Sequence, residues 1–600
     1  MNFTNIAQMF VSTVSKNKSK ELFLYKKNNS WIGLNGTDIK ITVEDITFGL
    51  RSLGIKEKSN IAILSNNSHR WAMADYGIIC SRMSTVTIYP TLIKEHVEFI
   101  IKDSDSKLIF VENQEQFSKI KNICNISKIN IYIILMDDSL ETETSNYFNM
   151  TTLFDKGKNY SQSVTENFDD IISKIKESDI LTLIYTSGTT GVPKGVALSH
   201  KNLISNVEAT LKVADFNDHE TFLSFLPLSH VLERMGGHFT AFYVGAKIYY
   251  SENIEKVSEN LLETHPTIVV CVPRLFEKMY SKIVVGLKSA PRIKRLLFNW
   301  ALIVGRQYFG LKLKNLKIPM TLKIKHKIAN KLIYSKIKNK LGGKIKFFVS
   351  GGAPLSKEIA EFFASVDITI LEGYGLTETS PVLTVNSPIA GIKYGTVGKP
   401  LFNVKIKIAN DGEILAKGPN IMESYFNNNN ATLEVFDKEG WFMTGDIGFL
   451  DEDNFLTITD RKKSLIVTSG GKNIAPSPLE GALLNSTYID QVIVIGDKRN
   501  FISALIVPNF EMLINFLNSK KISLSEPHAI IEHEAVISIY NEEVIRLMEK
   551  FSNYEKVKKF TLLPEPLSID KGEMTPKMSI VRKVVEKNYS ILINNMYEEL

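Results

Sequence analysis

LIYTSGTTGVPKGVALSH, at residues 183–200, is an apolar strand that runs into a turn rich in Gly, Ser and Thr, and Lys194 follows that turn. Glycines let backbone N–H groups turn toward an anion, hydroxyls add donors, and the lysine supplies a point charge. This chemistry suits a triphosphate. The stretch is not a Walker A loop, because Gly195 stands where Ser or Thr is required. A flexible linker is the alternative, but a linker rarely leaves a buried strand so abruptly.

Two further strands end in glycine-rich turns. In VSGGAPLS (349–356), small residues permit close approach of the backbone to a planar ligand. In LEGYGLTETSPV (371–382), Tyr374 offers a flat face for a base, Thr377 a hydroxyl, and Glu378 an oxygen ligand of the kind that Mg²⁺ takes. Each segment alone is typical of an ordinary tight turn. Together with the phosphate turn they predict a nucleotide pocket at the carboxyl ends of parallel strands.

A third segment, GWFMTGDIGFLDEDNFLTITDRKK (440–463), supplies charged candidates. Asp446 can hold two ribose hydroxyls, and Arg461 can reach ribose or phosphate. Asp and Arg side chains are commonly only solvated, so the position of these two in the fold decides whether they bind a nucleotide or simply face water.

Short runs rich in Ile and Val alternate with longer amphipathic stretches before residue 391, as in NIAILS (60–65) and KIKFFVS (344–350). Their apolar character on both faces indicates parallel strands covered by helices. After residue 391, shorter alternating segments are typical of antiparallel strands. We predict an α/β fold with an N-terminal domain over 1–462 and a small α+β C-terminal domain over 463–600. The first domain would contain parallel sheets with flanking helices and a β-rich subdomain at about 391–460.

The composition of the 600 residues, 44% hydrophobic and 23% charged, is that of a globular protein and excludes disorder, collagen and coiled coil. Cys80, Cys124 and Cys271 are too few and too scattered for a disulfide framework or a zinc site, which favours a reducing compartment. The first residues, MNFTNIAQMF, do not resemble a signal peptide, and no run of about 18 apolar residues occurs. We expect a cytoplasmic protein.

The net charge of +7 is unevenly distributed. Residues 278–357, the basic segment, contain 20 Lys and Arg and no Asp or Glu, so the rest of the chain carries −13. Within it, 311–346 alternates Lys with apolar residues at spacings that suit helices with one basic face. Anionic lipid, a polyanionic cofactor, nucleic acid or plain solvation would each explain the segment. A lipid surface or a cofactor is favoured, and nucleic acid is not supported by any nucleic-acid-binding motif.

YTSGTTGVPKGV, GYGLTET, GWFMTGD and the DRKK-to-GGKN segment (460–473), in this order, resemble the adenylate-forming superfamily of acyl-CoA synthetases, firefly luciferase and peptide-synthetase adenylation domains. LPLSHVLER (226–234), VPRLFEKMY (272–280), IYPT (88–91) and SGGKNIAP (469–476) are similar to the long-chain fatty acid–CoA ligases. The resemblance covers about residues 23–585. It implies that ATP converts a fatty acid to an acyl-adenylate, that pyrophosphate leaves, and that the acyl group passes to CoA with release of AMP.

The resemblance also implies roles for the residues at matching positions. The phosphates would be held by Thr186, Ser187, Gly188, Thr189, Thr190, Gly191 and Lys194, and Mg²⁺ by Thr189 and Glu378. The base would lie against Gly352, Ala353, Pro354 and Tyr374, with Gly373 and Gly375 in the same nucleotide site. Thr377 would contact the α-phosphate, and Asp446 and Arg461 would contact the ribose. His230 would sit near the acyl carboxylate, although a lone His is equally typical of a core residue.

The family rotates its C-terminal domain between the two half-reactions, about a hinge that would be Lys463, and Gly470 and Gly471 would then line the CoA channel. The chain departs from the family near its end, where Thr-Pro-x-Leu-Lys-x-x-Arg is usual and TPKMSIVR (575–582) occurs. Ser579 therefore stands at the position of the lysine that assists adenylation. On a strand, Lys577 would share the face of Ser579 about 6–7 Å away, and its long stem could substitute.

The favoured function is a long-chain fatty acid–CoA ligase with fatty acid, ATP, Mg²⁺ and CoA as partners, and with peripheral contact between the basic segment and an anionic inner membrane surface. Two alternatives stay open. One is a ligase for another acceptor or acid, such as a carrier protein, a medium-chain acid or an aryl acid. The other is a non-catalytic acyl- or nucleotide-binding protein at a membrane, against which Thr189, Glu378, Asp446 and Arg461 weigh.

Overall fold

A computed structural model describes residues 3–187, 193–288, 290–314, 316–462, 464–469, 472–575 and 580–598. The side chains of Ser187, Lys288 and Asn473 also lie outside the described part. The chain folds as a mixed α/β protein, which confirms the predicted fold class.

The strands of the described ranges are short and continue almost to the end of the chain. In chain order they are β1 (Glu21–Lys27), β2 (Ser30–Asn35), β3 (Asn60–Leu64), β4 (Ser84–Ile88), β5 (Leu108–Val111), β6 (Tyr132–Leu135), β7 (Tyr147–Asn149), β8 (Ile180–Ser187), β9 (Pro193–Ser199), β10 (Thr221–Ser224), β11 (Lys247–Tyr250), β12 (Ile268–Cys271), β13 (Phe347–Ser350), β14 (Ile370–Gly375), β15 (Val382–Val385), β16 (Lys399–Pro400), β17 (Lys405–Ile408), β18 (Glu413–Lys417), β19 (Ser424–Tyr425), β20 (Phe442–Leu450), β21 (Leu456–Arg461), β22 (Ile466–Val467), β23 (Asn473–Ile474), β24 (Ile489–Ile495), β25 (Ile502–Pro508) and β26 (Val557–Leu562).

The helices of the described ranges precede, separate and follow these strands. They are α1 (Ile6–Lys16), α2 (Gly36–Ser52), α3 (His69–Cys80), α4 (Lys94–Asp103), α5 (Gln114–Ser127), α6 (Met150–Ser163), α7 (Phe168–Ser173), α8 (His200–Thr210), α9 (Thr240–Tyr243), α10 (Val257–Thr264), α11 (Pro273–Lys288), α12 (Arg292–Leu313), α13 (Met320–Ala329), α14 (Ser335–Asn339), α15 (Lys357–Ser365), α16 (Asn429–Leu433), α17 (Pro476–Leu483), α18 (Phe510–Ser519), α19 (Pro527–Glu532), α20 (Glu534–Met548), α21 (Arg582–Asn588) and α22 (Ser590–Glu598). The part of the chain that the structure describes also contains two π-helical stretches (Leu232–Phe239 and Asn330–Tyr334) and one 3₁₀ turn (Thr377–Thr379).

Two large sheets form the framework. One has the strand order β19-β9-β8-β4-β3-β5-β6-β7 and the other β16-β15-β14-β13-β12-β10-β11-β1-β2. Strands β8, β4, β3, β5, β6 and β7 run parallel in the first, and β11, β10, β12, β13 and β14 in the second, as the apolar runs predict. The carboxyl ends of β8, β13 and β14 lead into the three glycine-rich segments.

Antiparallel strands follow, again as predicted from their alternating pattern. Strands β17, β18, β20 and β21 make a four-stranded sheet, and β24, β25 and β26 a three-stranded one in which β25 and β26 are parallel. The extent of each domain remains a prediction.

The largest apolar core includes residues of both large sheets and of the helices that cover them, with Phe10, Phe23, Tyr76 and Phe242 fully buried within it. Strand β3 is buried along nearly its whole length, because helices cover parallel strands on both faces. This core gives the strand ends a rigid base.

The basic segment is largely helical, and its helices expose apolar side chains as well as lysines. Nine of the 24 large apolar side chains that are exposed in the described part lie between Ile293 and Leu332. Four of them recur at every fourth position on α13 and the π-helical turn after it: Met320, Ile324, Ile328 and Leu332. A spacing of four places them on one face. Over the described ranges, no helix combines the length and the apolar character needed to cross a bilayer.

Candidate active site

The phosphate motif is an antiparallel hairpin. Thr186 at the end of β8 lies opposite Lys194 at the start of β9, and both are half-buried. Gly188, Thr189, Thr190 and Gly191 lie outside the described residues, so their predicted roles rest on sequence alone. The hairpin presents the Lys194 side chain at the carboxyl end of the parallel strands.

The second motif begins on β14, and the chain turns sharply after Gly375. A Cβ at this position would lie 1.7 Å from the carbonyl oxygen of Pro381, so only glycine fits. The 3₁₀ turn that follows buries Thr377 and leaves Glu378 half-buried, while Gly373 and Tyr374 stay half-buried on the strand itself. The strand end and the turn therefore hold Tyr374, Thr377 and Glu378, the base, phosphate and metal candidates of this motif, within five positions.

Tyr374 joins the second motif to the third. Its Oη donates a hydrogen bond of 2.7 Å to Oδ2 of Asp446, whose Oδ1 lies 3.1 Å from Nε of Arg461. Asp446 and Arg461 are also cross-strand partners on β20 and β21. Burial raises the pKa of Asp446, and the neighbouring Arg461 opposes that shift. Residues about 70 and 90 positions apart in sequence thus form one polar cluster.

The adenine candidates lie on a loop that the neighbouring strand holds in place. Gly352 has φ +82°, which favours glycine, and Ala353 and Pro354 are exposed. The backbone N–H of Leu355 donates a 3.0 Å hydrogen bond to Oε1 of Glu372, a buried side chain on β14. Burial raises the pKa of Glu372 to about 7. Sequence reasoning missed Glu372, although it directly precedes the GYG turn.

His230 is half-buried at the start of a π-helical stretch, where its Nδ1 accepts from the N–H of Leu232 at 3.2 Å. A Cβ at Gly351 would lie 3.4 Å from the Leu232 side chain, so this turn packs beside the adenine loop. Asn67, which follows β3, accepts from the N–H of Leu228 at 2.6 Å and also donates to the carbonyl of Leu226. The histidine motif is therefore fastened to the first sheet.

A fully buried ion pair secures the same motif. Arg234 donates to Asp75 on α3 through Nε at 2.8 Å and through Nη2 at 2.5 Å, and its Nη1 reaches Oγ1 of Thr182 on β8 at 2.7 Å. Removing one partner of such a pair leaves an uncompensated buried charge, which costs several kcal/mol. Neither Asp75 nor Arg234 was singled out from the sequence. This pair fixes the place of His230 relative to the phosphate hairpin.

Glu378 and Lys194 meet the same aromatic side chain. Tyr425 on β19 donates from Oη to Oε1 of Glu378 at 2.8 Å, and Nζ of Lys194 lies 5.1 Å from the centre of its ring. This contact brings the first motif to the second. Tyr425 was also missed, because a Tyr inside ESYFNN carries no motif of its own.

A magnesium ion fits this donor set. Mg²⁺ is usually held by one or two carboxylates plus substrate phosphates, rather than by an all-protein cage. Glu378 supplies one such carboxylate, and the described part of the chain contains no cluster of three or more metal-binding side chains. Thr189, the other proposed ligand, lies outside the described residues.

Several C-terminal candidates also fall outside the described ranges, namely Lys463, Gly470, Gly471, Lys577 and Ser579. Arg582 of the same motif is described: it pairs with Glu480 and donates to the carbonyl of Val494 at 2.7 Å. Arg274 on α11 reaches the C-terminal part through Asp490, with Nη2 2.7 Å from Oδ1. The arginine of VPRLFEKMY thus forms a contact with strand β24.

Two family models together match most of the chain. The family model described as AMP-binding enzyme matches residues 12–426, and that of the AMP-binding enzyme C-terminal domain matches residues 463–600. The chain belongs to the AMP-binding enzyme family. The resemblance inferred from the four motifs is confirmed.

Relatives within this AMP-binding family include long-chain-fatty-acid–CoA ligases. One from Mycobacterium bovis is 33% identical over 95% of this chain and 93% of its own length. One from Xenopus laevis is 33% identical over 99% of this chain and 84% of its own length. Among solved structures, the adenylation domain of a carboxylate reductase from Mycobacterium chelonae aligns over 99% of this chain and 91% of its own, with a TM-score of 0.77 at 18% identity. An anthranilate CoA ligase in complex with anthranoyl-AMP aligns over 99% of both chains, with a TM-score of 0.75 at 17% identity. These two likenesses establish the fold.

Proposed function

We propose that this AMP-binding enzyme activates long-chain fatty acids to acyl-CoA through an acyl-adenylate, and that it releases AMP and pyrophosphate. The observation that carries the proposal is the cluster of Tyr374, Asp446 and Arg461, in which two separate motifs combine. The relatives named as long-chain-fatty-acid–CoA ligases support the substrate class.

The proposed roles follow the chemistry of the side chains. Attack of a carboxylate oxygen on the α-phosphorus brings two anions together, so the site must neutralise charge and align the reactants. Lys194 supplies positive charge to the phosphates, and Thr377 a hydroxyl to the α-phosphate. Glu378 and Thr189 would hold Mg²⁺, which supplies further charge neutralisation when it is bound. His230 lies two residues before Leu232, which packs beside the adenine loop, and there it would orient the acyl carboxylate.

Base and ribose binding are assigned to the remaining positions. The adenine would lie along Gly352, Ala353, Pro354 and Tyr374, with Gly373 and Gly375 in the same nucleotide site, while Asp446 and Arg461 would face the ribose. We further propose a mobile C-terminal domain that begins at residue 463, whose Gly470 and Gly471 admit CoA.

The test is a product assay with purified protein, ATP, Mg²⁺, CoA and fatty acids of graded length. We expect palmitate- or oleate-dependent acyl-CoA together with AMP and pyrophosphate. Pyrophosphate without acyl-CoA would instead indicate another acceptor. Bound ATP with no product would favour the non-catalytic interpretation. ADP in place of AMP would contradict adenylate chemistry altogether.

We also propose that α12 and α13 hold the enzyme on an anionic membrane surface at the cytoplasmic side. Amphipathic helices that present lysines beside exposed apolar side chains bind at the lipid interface. Ile324 and Ile328 share one exposed face of α13 with Met320, and Lys323 and Lys327 lie between them. A poorly soluble acyl chain could then be drawn directly from the lipid.

Vesicle co-sedimentation tests this surface. Burying one Ile side chain contributes about 2 kcal/mol, so Ile324→Glu should lower the partition coefficient on anionic vesicles at least tenfold. Ile545→Glu is the matched control, because Ile545 is also an exposed isoleucine on a helix, α20. Equal binding to zwitterionic vesicles without sensitivity to salt would refute the proposal.

A further inference from the structure

The segment Met422–Phe426 lies between the two motifs that carry Lys194 and Glu378. Its strand β19 pairs with β9, the strand that leaves the phosphate turn, and the N–H of Phe426 donates to the carbonyl of Gly195 at 2.7 Å. At its other end, the N–H of Met422 donates to the carbonyl of Glu378 at 2.8 Å. The backbone of this segment therefore fixes one motif relative to the other.

The side chain of Tyr425 reaches both motifs at once. Its hydroxyl donates to Oε1 of Glu378, and its ring faces the ammonium group of Lys194. Tyr425 is 7% exposed, so water competes little with either contact.

Opposite charges that share a half-buried site attract each other and can form a direct ion pair. Such a pair must be broken before either charged group can bind a ligand. Tyr425 gives each charge a separate partner: the ring attracts the ammonium group, and the hydroxyl holds one carboxylate oxygen. A carboxylate keeps acceptor capacity at its second oxygen, which can still bind a metal ion.

We propose that Tyr425 is a positioning residue that keeps Lys194 and Glu378 apart and orients them for the triphosphate and its magnesium ion. The inference rests on the proposed function, since it assumes that these two residues bind MgATP. Tyr425 itself touches neither nucleotide nor metal in this role. It acts through Glu378 and Lys194.

ATP titration calorimetry without fatty acid separates the two contacts. Tyr425→Phe keeps the ring and loses the hydroxyl, so we expect about five- to tenfold weaker ATP binding in Mg²⁺ and less than a twofold change in EDTA. Tyr425→Leu also loses the ring, and it should weaken binding in both buffers. Tyr185→Phe is the matched control: Tyr185 lies on β8 of the same hairpin and is equally buried, but its hydroxyl bonds Asp103 at 2.6 Å.

A double-mutant cycle tests whether the hydroxyl acts through the carboxylate. In a Glu378→Gln background, Tyr425→Phe should have no further effect on ATP binding in Mg²⁺. Two results would overturn the inference: unchanged binding by Tyr425→Phe in Mg²⁺, or an equal loss in EDTA, which indicates packing alone. If the wild type binds ATP but makes no acyl-CoA, the proposed function fails while the titration still decides the role of Tyr425.

Discussion

Glu372→Gln should make the protein more stable at alkaline pH while it leaves the adenine loop in place. Glu372 is 5% exposed, and burial raises its pKa to about 7 from an ordinary value of 4.5. The unfolded chain therefore loses this proton at a lower pH than the folded one. The free energy of unfolding consequently falls as pH rises from 4.5 to 7, by about 3 kcal/mol in total.

Glutamine does not titrate, so the variant escapes that loss, and its amide oxygen can still accept from the N–H of Leu355. In a cooperative unit of several hundred residues, each kcal/mol corresponds to about 1–2 °C. We expect Glu372→Gln to raise the Tm by about 3–6 °C at pH 8 and by only about 1–2 °C at pH 5.

Thermal unfolding followed by tryptophan fluorescence at both pH values is the assay. Glu141→Gln, at an exposed position, is the control for the loss of one surface charge. Glu372→Leu removes the acceptor as well, and it should raise the KM for ATP because the loop at Leu355 loses its anchor. A Tm gain that is the same at pH 5 and pH 8 would refute the reasoning.

Three other outcomes are expected. Tyr374→Phe deprives the buried Asp446 of a donor, so the KM for ATP should rise about tenfold with little change in kcat; an unchanged KM would show that this bond does not support binding. Lys577→Ala should severely reduce pyrophosphate release but spare thioester formation from supplied acyl-adenylate, and full adenylation would exclude this lysine as a substitute at Ser579. Arg274→Ala removes a partly exposed ion pair with Asp490 worth about 1 kcal/mol, so trypsin should cleave near residue 462 about fivefold faster. The same cleavage rate would mean that the pair does not hold the two parts together.

Local chemistry made much of this protein predictable. Apolar runs such as NIAIL at β3 and FFVS at β13 have only one stable environment, the interior of a helix-covered parallel sheet. The glycine-rich turn after β14 was predictable for a related reason, since the sharp turn at Gly375 excludes every side chain. Family membership followed from four such motifs in order.

Long-range contacts were not predictable, because they join residues that share no local pattern. Tyr425 contacts Glu378 and Lys194 only because β19 pairs with β9, a strand more than 200 residues earlier in the chain. Glu372 gains its raised pKa from burial, which depends on packing around the strand and not on its neighbours in sequence. Residue types and their spacing thus determine which turns and strands form and what chemistry they carry. The tertiary structure decides which of those side chains lose water and face each other, and that decides their charge and their partners.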